Sequence, residues 1–203
     1  MTHRPHVVLY VDPVCPFAWI ALKWLFEVRR LREIDLHADI MSLAVLNDEP
    51  APGTGTRSDR GLESAWRPVR VAVALAEERG EEALRGFLVA FGTNFHEQRI
   101  RPRDRALRQA LSELDATNFI NVADSNDYDS VVLRSHHAAV AAVGPDVGTP
   151  TLHVDGVAFF GPILTSIPRG QSALDAFDGA VLLAGHPQFC ELKRSRQHEP
   201  SFD

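Results

Sequence analysis

The chain has 203 residues, 45% of them hydrophobic and 24% charged, with a formal net charge of −6. That balance suits a globular protein with one full core, and its sign argues against nucleic acid or an anionic membrane as the main partner. No apolar stretch reaches the ~20 residues needed to span a bilayer. The opening MTHRPHVVLYVD enters a strand with no apolar leader, so a cytoplasmic location is expected, with thiols kept reduced.

His6 to Val11 reads as a buried strand, broken by Asp12 and Pro13. A helix follows from about Pro16 to Arg32, with Trp19, Leu22, Leu25, Phe26 and Val28 on its apolar face. Pro16 suits the first helical position, where its missing amide hydrogen has no partner to lose. Ile34 to Ala44 alternates as a second strand, so the first two strands form a βαβ unit and run parallel. Asn47 to Asp59, NDEPAPGTGTRSD, is a long polar loop; its GTG lacks the GK[ST] of a phosphate loop.

Residues 61–116 are helical almost throughout, with helices expected over about Leu62–Arg79, Glu81–His96 and Asp104–Leu114. Asp127 to Val143 is a further helix, on which His136-His137 reads as an exposed pair. The β signal then returns: Thr151–Val154 and Val157–Phe160 flank Asp155-Gly156, a strong two-residue hairpin signal. A last helix spans about Gln171 to Leu183, and the charged tail from His186 is expected to be loosely held. The order predicts a small mixed sheet with a helical block inserted between its halves. Its domains are residues 1–60 with 143–203, and the helical block 61–142.

Only two cysteines are present, Cys15 and Cys190, too few for a disulfide framework. Cys15 stands at the start of the first helix, where unpaired amides and the helix dipole favour thiolate. Such positions lower a cysteine pKa from ~8.5 into the range ~3.5–7.5, and the amides of Phe17 and Ala18 are the expected donors. The same position also suits an inert buried cysteine. No His/Cys/Asp/Glu spacing recommends a metal site.

DPVCPFAW (Asp12 to Trp19), GTPTLHVDG (Gly148 to Gly156) and the helical block between them resemble the DsbA-like branch of the thioredoxin superfamily. MSLAVLN (Met41 to Asn47), FHEQ (Phe95 to Gln98) and FFGPILTSIPRG (Phe159 to Gly170) are similar to the actinobacterial mycothiol-dependent reductases, associated with thiol-dependent nitroreduction. The resemblance implies a thioredoxin-like α/β fold with an inserted helical subdomain. It implies Cys15 as nucleophile, with Pro16, Phe17 and Ala18 shaping its reactivity. Thr149, before a cis Pro150, would offer backbone hydrogen bonds to a bound thiol, and Asn47 and His96 would line the pocket. A low-molecular-weight thiol, mycothiol or glutathione, is the implied co-substrate, acting with a disulfide or small electrophile; no tightly bound cofactor is implied.

The departure from the dithiol pattern is Ala18, which stands where a resolving cysteine is needed. Cys15 therefore stops at a mixed disulfide until another thiol arrives, unless Cys190 in the tail supplies it. Two other readings stay open. The kappa-type glutathione transferase and 2-hydroxychromene-2-carboxylate isomerase branch shares the fold but typically carries Ser-Pro in place of Cys15-Pro16. A non-catalytic thioredoxin-like binding module is the other. The apolar inserted helices also offer a homodimer face.

Overall fold

A computed structural model describes residues 3–47 and 63–203. Most of the long polar loop expected over Asn47–Asp59 lies outside the described residues. β1 (His6–Val11) pairs parallel with β2 (Asp35–Ile40) and antiparallel with β3 (Thr151–Val154). β4 (Val157–Phe160) pairs antiparallel with β3, giving the order β2-β1-β3-β4. Val7 faces Val154 across the β1–β3 pair, so the two ends of the chain build one sheet. Val7, Leu9 and Val11 of the central strand are all buried. At the hairpin, Asp155 and Gly156 have φ of 49° and 86°, the left-handed conformations that a two-residue turn demands.

α1 (Pro16–Leu31) and α7 (Gln171–Ala184) pack together at the sheet, where the Trp24 indole donates to the carbonyl of Ala173 and its ring meets Phe177. Between β2 and β3 lie α3 (Trp66–Arg79), α4 (Glu81–Gly92), α5 (Arg103–Glu113) and α6 (Asp129–Ala141). The wholly buried Arg67 and Arg70 of α3 hold this block together. Arg67 pairs with Asp104 and Asp124, and Arg70 makes a two-pronged bond to Asp129 at 2.7 and 2.9 Å. Such forked pairs fix geometry as well as charge.

Four sequence expectations need correction, and one unassigned segment proves structured. β2 stops at Ile40, because Ser42 caps a short helix α2 (Leu43–Leu46) where strand was expected to continue to Ala44. α4 ends at Gly92 and passes into a π-helical turn, Thr93–Glu97, instead of running on to His96. Residues Thr117–Asp124 form a 3₁₀ segment that no periodicity signalled. His136 is buried where α6 packs toward β2, leaving only His137 exposed. The tail is not simply loose: Ser201 N–H donates to the carbonyl of Thr165 at 2.8 Å, and Phe202 packs against the core. Among the described residues no helix is long and apolar enough to cross a membrane.

Candidate active site

The turn between β1 and α1 is organised by Asp12, a buried carboxylate directly at the end of the strand. Its Oδ1 accepts from Val14 N–H at 2.8 Å, and its Oδ2 accepts from Leu43 N–H at 2.6 Å, at the start of α2. The backbone closes the same turn with Cys15 N–H on the carbonyl of Asp12 at 3.0 Å. A carboxylate bonding to the amide two residues on is the usual behaviour of Asp in turns. The sequence reading treated Asp12 as a strand breaker and missed this role. The signal was present: a charged residue between an apolar run and a proline.

Cys15 is the N-cap of α1, and its Sγ accepts from the Ala18 amide at 3.5 Å. The thiol in turn donates to the carbonyl of Thr149 at 3.4 Å. The Thr149–Pro150 bond is cis, as expected from the GTPT context. The structure therefore brings Cys15, Pro16, Phe17, Ala18, Thr149 and Pro150 to one place, from opposite ends of the chain.

The expected lowering of the Cys15 pKa is not what this geometry gives. Burial pushes the thiol up from its ordinary value, and it outweighs the hydrogen bonds from Thr149, Ala18 and Phe17; the Asp12 charge adds to the rise. Cys15 is only 5% exposed. Helix-start amides are present as the sequence implied, but desolvation, which cannot be read from local sequence, wins.

His96 reaches the same turn from the π-helical segment. Its ring is 6% exposed, and Nε2 lies 2.9 Å from the carbonyl oxygen of Pro13. Burial, as the main cause, lowers its pKa to about 4, so the ring is a neutral donor at pH 7. The ring stacks on Trp19, and Phe95 meets it edge-on. Phe202 of the tail lies 5.8 Å away from it, ring to ring, and Arg196 stands 5.0 Å over the Phe17 ring. These two tail residues were not anticipated from sequence; a Phe in a charged stretch was the only signal.

Asn47 is exposed as the residue capping the end of α2, and among the described residues no hydrogen bond joins its side chain to the Cys15 turn. Both cysteines are free thiols, Cys15 buried and Cys190 exposed.

A strand, a cysteine-capped helix and a cis-proline loop opposite it, with helices inserted between, define a DsbA-like protein of the thioredoxin superfamily. Solved structures agree on the fold. A probable DsbA oxidoreductase, SCO1869 of Streptomyces coelicolor, superposes with a TM-score of 0.59 over 96% of this chain and 95% of its own, at 16% identity. A 2-hydroxychromene-2-carboxylate isomerase does so with a TM-score of 0.59 over 86% of this chain and 93% of its own, at 15% identity. The uncharacterized protein Rv2286c of Mycobacterium tuberculosis is 30% identical over 194 residues, covering 94% of this chain and 82% of that protein. Residues 14–194 match the family described as Rv2466c-like, mycothiol-dependent nitroreductase Rv2466c, and the chain belongs to that family.

Proposed function

We propose that this protein is a thiol-dependent oxidoreductase that works with one cysteine, Cys15, and a low-molecular-weight thiol, of which mycothiol is the family's namesake. The observation that carries the reading is the sulfur held between the Ala18 amide and the carbonyl preceding cis Pro150, with alanine at position 18. The Cys15 thiolate attacks one sulfur of a disulfide RSSR′, forming a Cys15–SR bond and releasing R′S⁻. A second small thiol then attacks the mixed disulfide, releasing Cys15 and carrying RS away as a new disulfide. The net change is one exchange, RSSR′ + R″SH giving R′SH + RSSR″; attack of a further small thiol on RSSR″ frees RSH and leaves the small thiol as its own disulfide.

Two further features support a bound thiol compound at this place. The Thr149 hydroxyl is buried and, beyond its weak interaction with the Cys15 sulfur, meets no hydrogen-bond partner, in the residue whose carbonyl faces that sulfur. His96 and Asp12 hold the turn from two sides, so the sulfur's position is set before any ligand arrives. The burial of Cys15 requires local opening for each exchange.

The test is mass spectrometry of the intact protein after exposure to oxidised mycothiol, with peptide mapping. One adduct on Cys15, absent from Cys15→Ser together with turnover, is the expected result. Turnover surviving in Cys15→Ser would overturn the reading in favour of an isomerase or transferase in which the bound thiol does the chemistry.

A further inference from the structure

A second cluster lies at the other end of β1. The parallel register places His6 opposite Asp35, and His37 follows two residues along β2 on the same face. Asp35 Oδ2 is 3.3 Å from His6 Nδ1 and 3.1 Å from His37 Nε2, and these ligand atoms all lie within 4.8 Å of one another. Glu81, the first residue of α4, accepts from the other nitrogen of His37 at 2.9 Å. The five strand residues that separate this point from the end of β1 put it about 17 Å from the Cys15 turn.

We propose that His6, Asp35 and His37 form a zinc site, with Glu81 orienting His37. Zinc bonded to nitrogen at ~2.0–2.1 Å and to oxygen at ~2.0–2.2 Å in tetrahedral geometry separates its ligand atoms by about 3.3–3.5 Å. The 3.3 and 3.1 Å separations from Asp35 Oδ2 lie close to that spacing, and the two histidine nitrogens are within 4.8 Å of each other, so the side chains need to draw together around the ion. Two imidazoles and one carboxylate suit zinc in preference to magnesium or calcium, which prefer all-oxygen shells. The carboxylate on the far nitrogen of a ligating histidine is the support that such sites use to fix the tautomer. With His37 Nδ1–H on Glu81, a bound ion would take the place of the proton that Nε2 shares with Asp35 Oδ2.

The nearest opposing charge, Arg4, lies 3.5 Å from Asp35 Oδ1 and leaves Oδ2 to the two histidines. The three side chains are between 34% and 58% exposed, so the ion enters from solvent and water completes its fourth position. Bound there, zinc ties β1 to β2 and, through Glu81, the sheet to α4. This inference is independent of the chemistry proposed for Cys15.

The same distances also fit a hydrogen-bonded cluster without metal, and a chelator-competition titration with Zn²⁺ decides between them. The wild type should bind one equivalent and melt at a higher temperature with it. Asp35→Asn and His37→Ala should each weaken binding at least tenfold and abolish the thermal shift, and Glu81→Gln should weaken it ~10-fold. His6→Ala, at a more exposed position, keeps the test valid if His37→Ala misfolds. Cys15→Ser and Cys190→Ser should bind as the wild type does, and Co²⁺ should give no thiolate charge-transfer band. No binding by the wild type, unchanged binding in the histidine variants, or loss of zinc in either cysteine variant would overturn the proposal.

Discussion

His96 donates from Nε2 to the carbonyl of Pro13 across 2.9 Å, joining the π-helical segment after α4 to the turn that presents Cys15. Burial, against the pull of that hydrogen bond, keeps the ring neutral, with a pKa of about 4, below the ordinary histidine value. The unfolded chain therefore takes up a proton first as pH falls, so this contribution is present above about pH 6.5 and drains away toward pH 4. Roughly 2–3 kcal/mol of stability should be lost between pH 7 and pH 4.5 on this account alone. Urea unfolding at the two pH values measures it, and the difference should shrink in His96→Gln. An equal loss in that variant would place the acid sensitivity elsewhere.

Ala18 gives its amide to the Cys15 sulfur but has no thiol to attack an adduct there. The wild type should accumulate one small thiol on Cys15 and keep it until excess reduced thiol is added. Ala18→Cys places an attacking sulfur within one helical turn, where effective concentration is high. Adduct mass followed over time should then decay far faster in the variant. If both proteins shed the adduct alike, another residue resolves it, and Cys190→Ser identifies the tail cysteine as that residue or clears it.

A Cβ on Gly92 would stand 2.4–2.7 Å from the atoms of the Trp19 indole. Gly92→Ala forces either that ring or the π-helical turn to move, and overpacking of this kind costs ~1–3 kcal/mol. Since Trp19 stacks on His96, the strain should reach the Cys15 turn as well. Chemical denaturation should show lower stability, accompanied by a changed alkylation rate at Cys15. A variant as stable as the wild type would mean that α4 can shift freely over α1.

Burial holds the Cys15 thiol above its ordinary pKa, so alkylation should stay slow to a higher pH than that of an exposed thiol such as a small-molecule control. Phe202 packs on His96 at the flank of this turn, in a tail segment held otherwise by the Ser201–Thr165 bond and the Arg196 contact. Phe202→Ala should raise the alkylation rate and move its pH midpoint down, with little change in the unfolding midpoint. A stopped-flow pH profile that overlays the wild type would assign the burial of Cys15 to the body of the protein instead.

The parallel and antiparallel strands, the first helix and the hairpin were legible because each has a local cause: apolar alternation, Pro16, Asp155-Gly156. The thiol's neighbourhood was legible only in part. Amide donors at Phe17 and Ala18 follow from helix geometry, whereas the burial of Cys15 comes from elements far away in sequence. Asp12 and His96 act through bonds to backbone, at Leu43 and Pro13; a charged residue between an apolar run and a proline marks the Asp12 turn, but neither distant partner is encoded locally. The His6–Asp35–His37 grouping escaped notice because its members meet through strand register. Phe202 escaped it because two phenylalanines thirteen residues apart in a charged tail carry no periodicity.

Both polar contacts that define the Cys15 sulfur are made by backbone, the Ala18 amide and the Thr149 carbonyl. The cradle therefore offers any donor–acceptor atom at position 15 the same two partners: a serine hydroxyl can address that carbonyl and that amide, but its shorter bond to carbon requires the turn to close slightly from the present 3.4 and 3.5 Å. Under the proposed function such a swap keeps the hydroxyl in place yet removes the nucleophile, so turnover should be lost while the fold is unchanged.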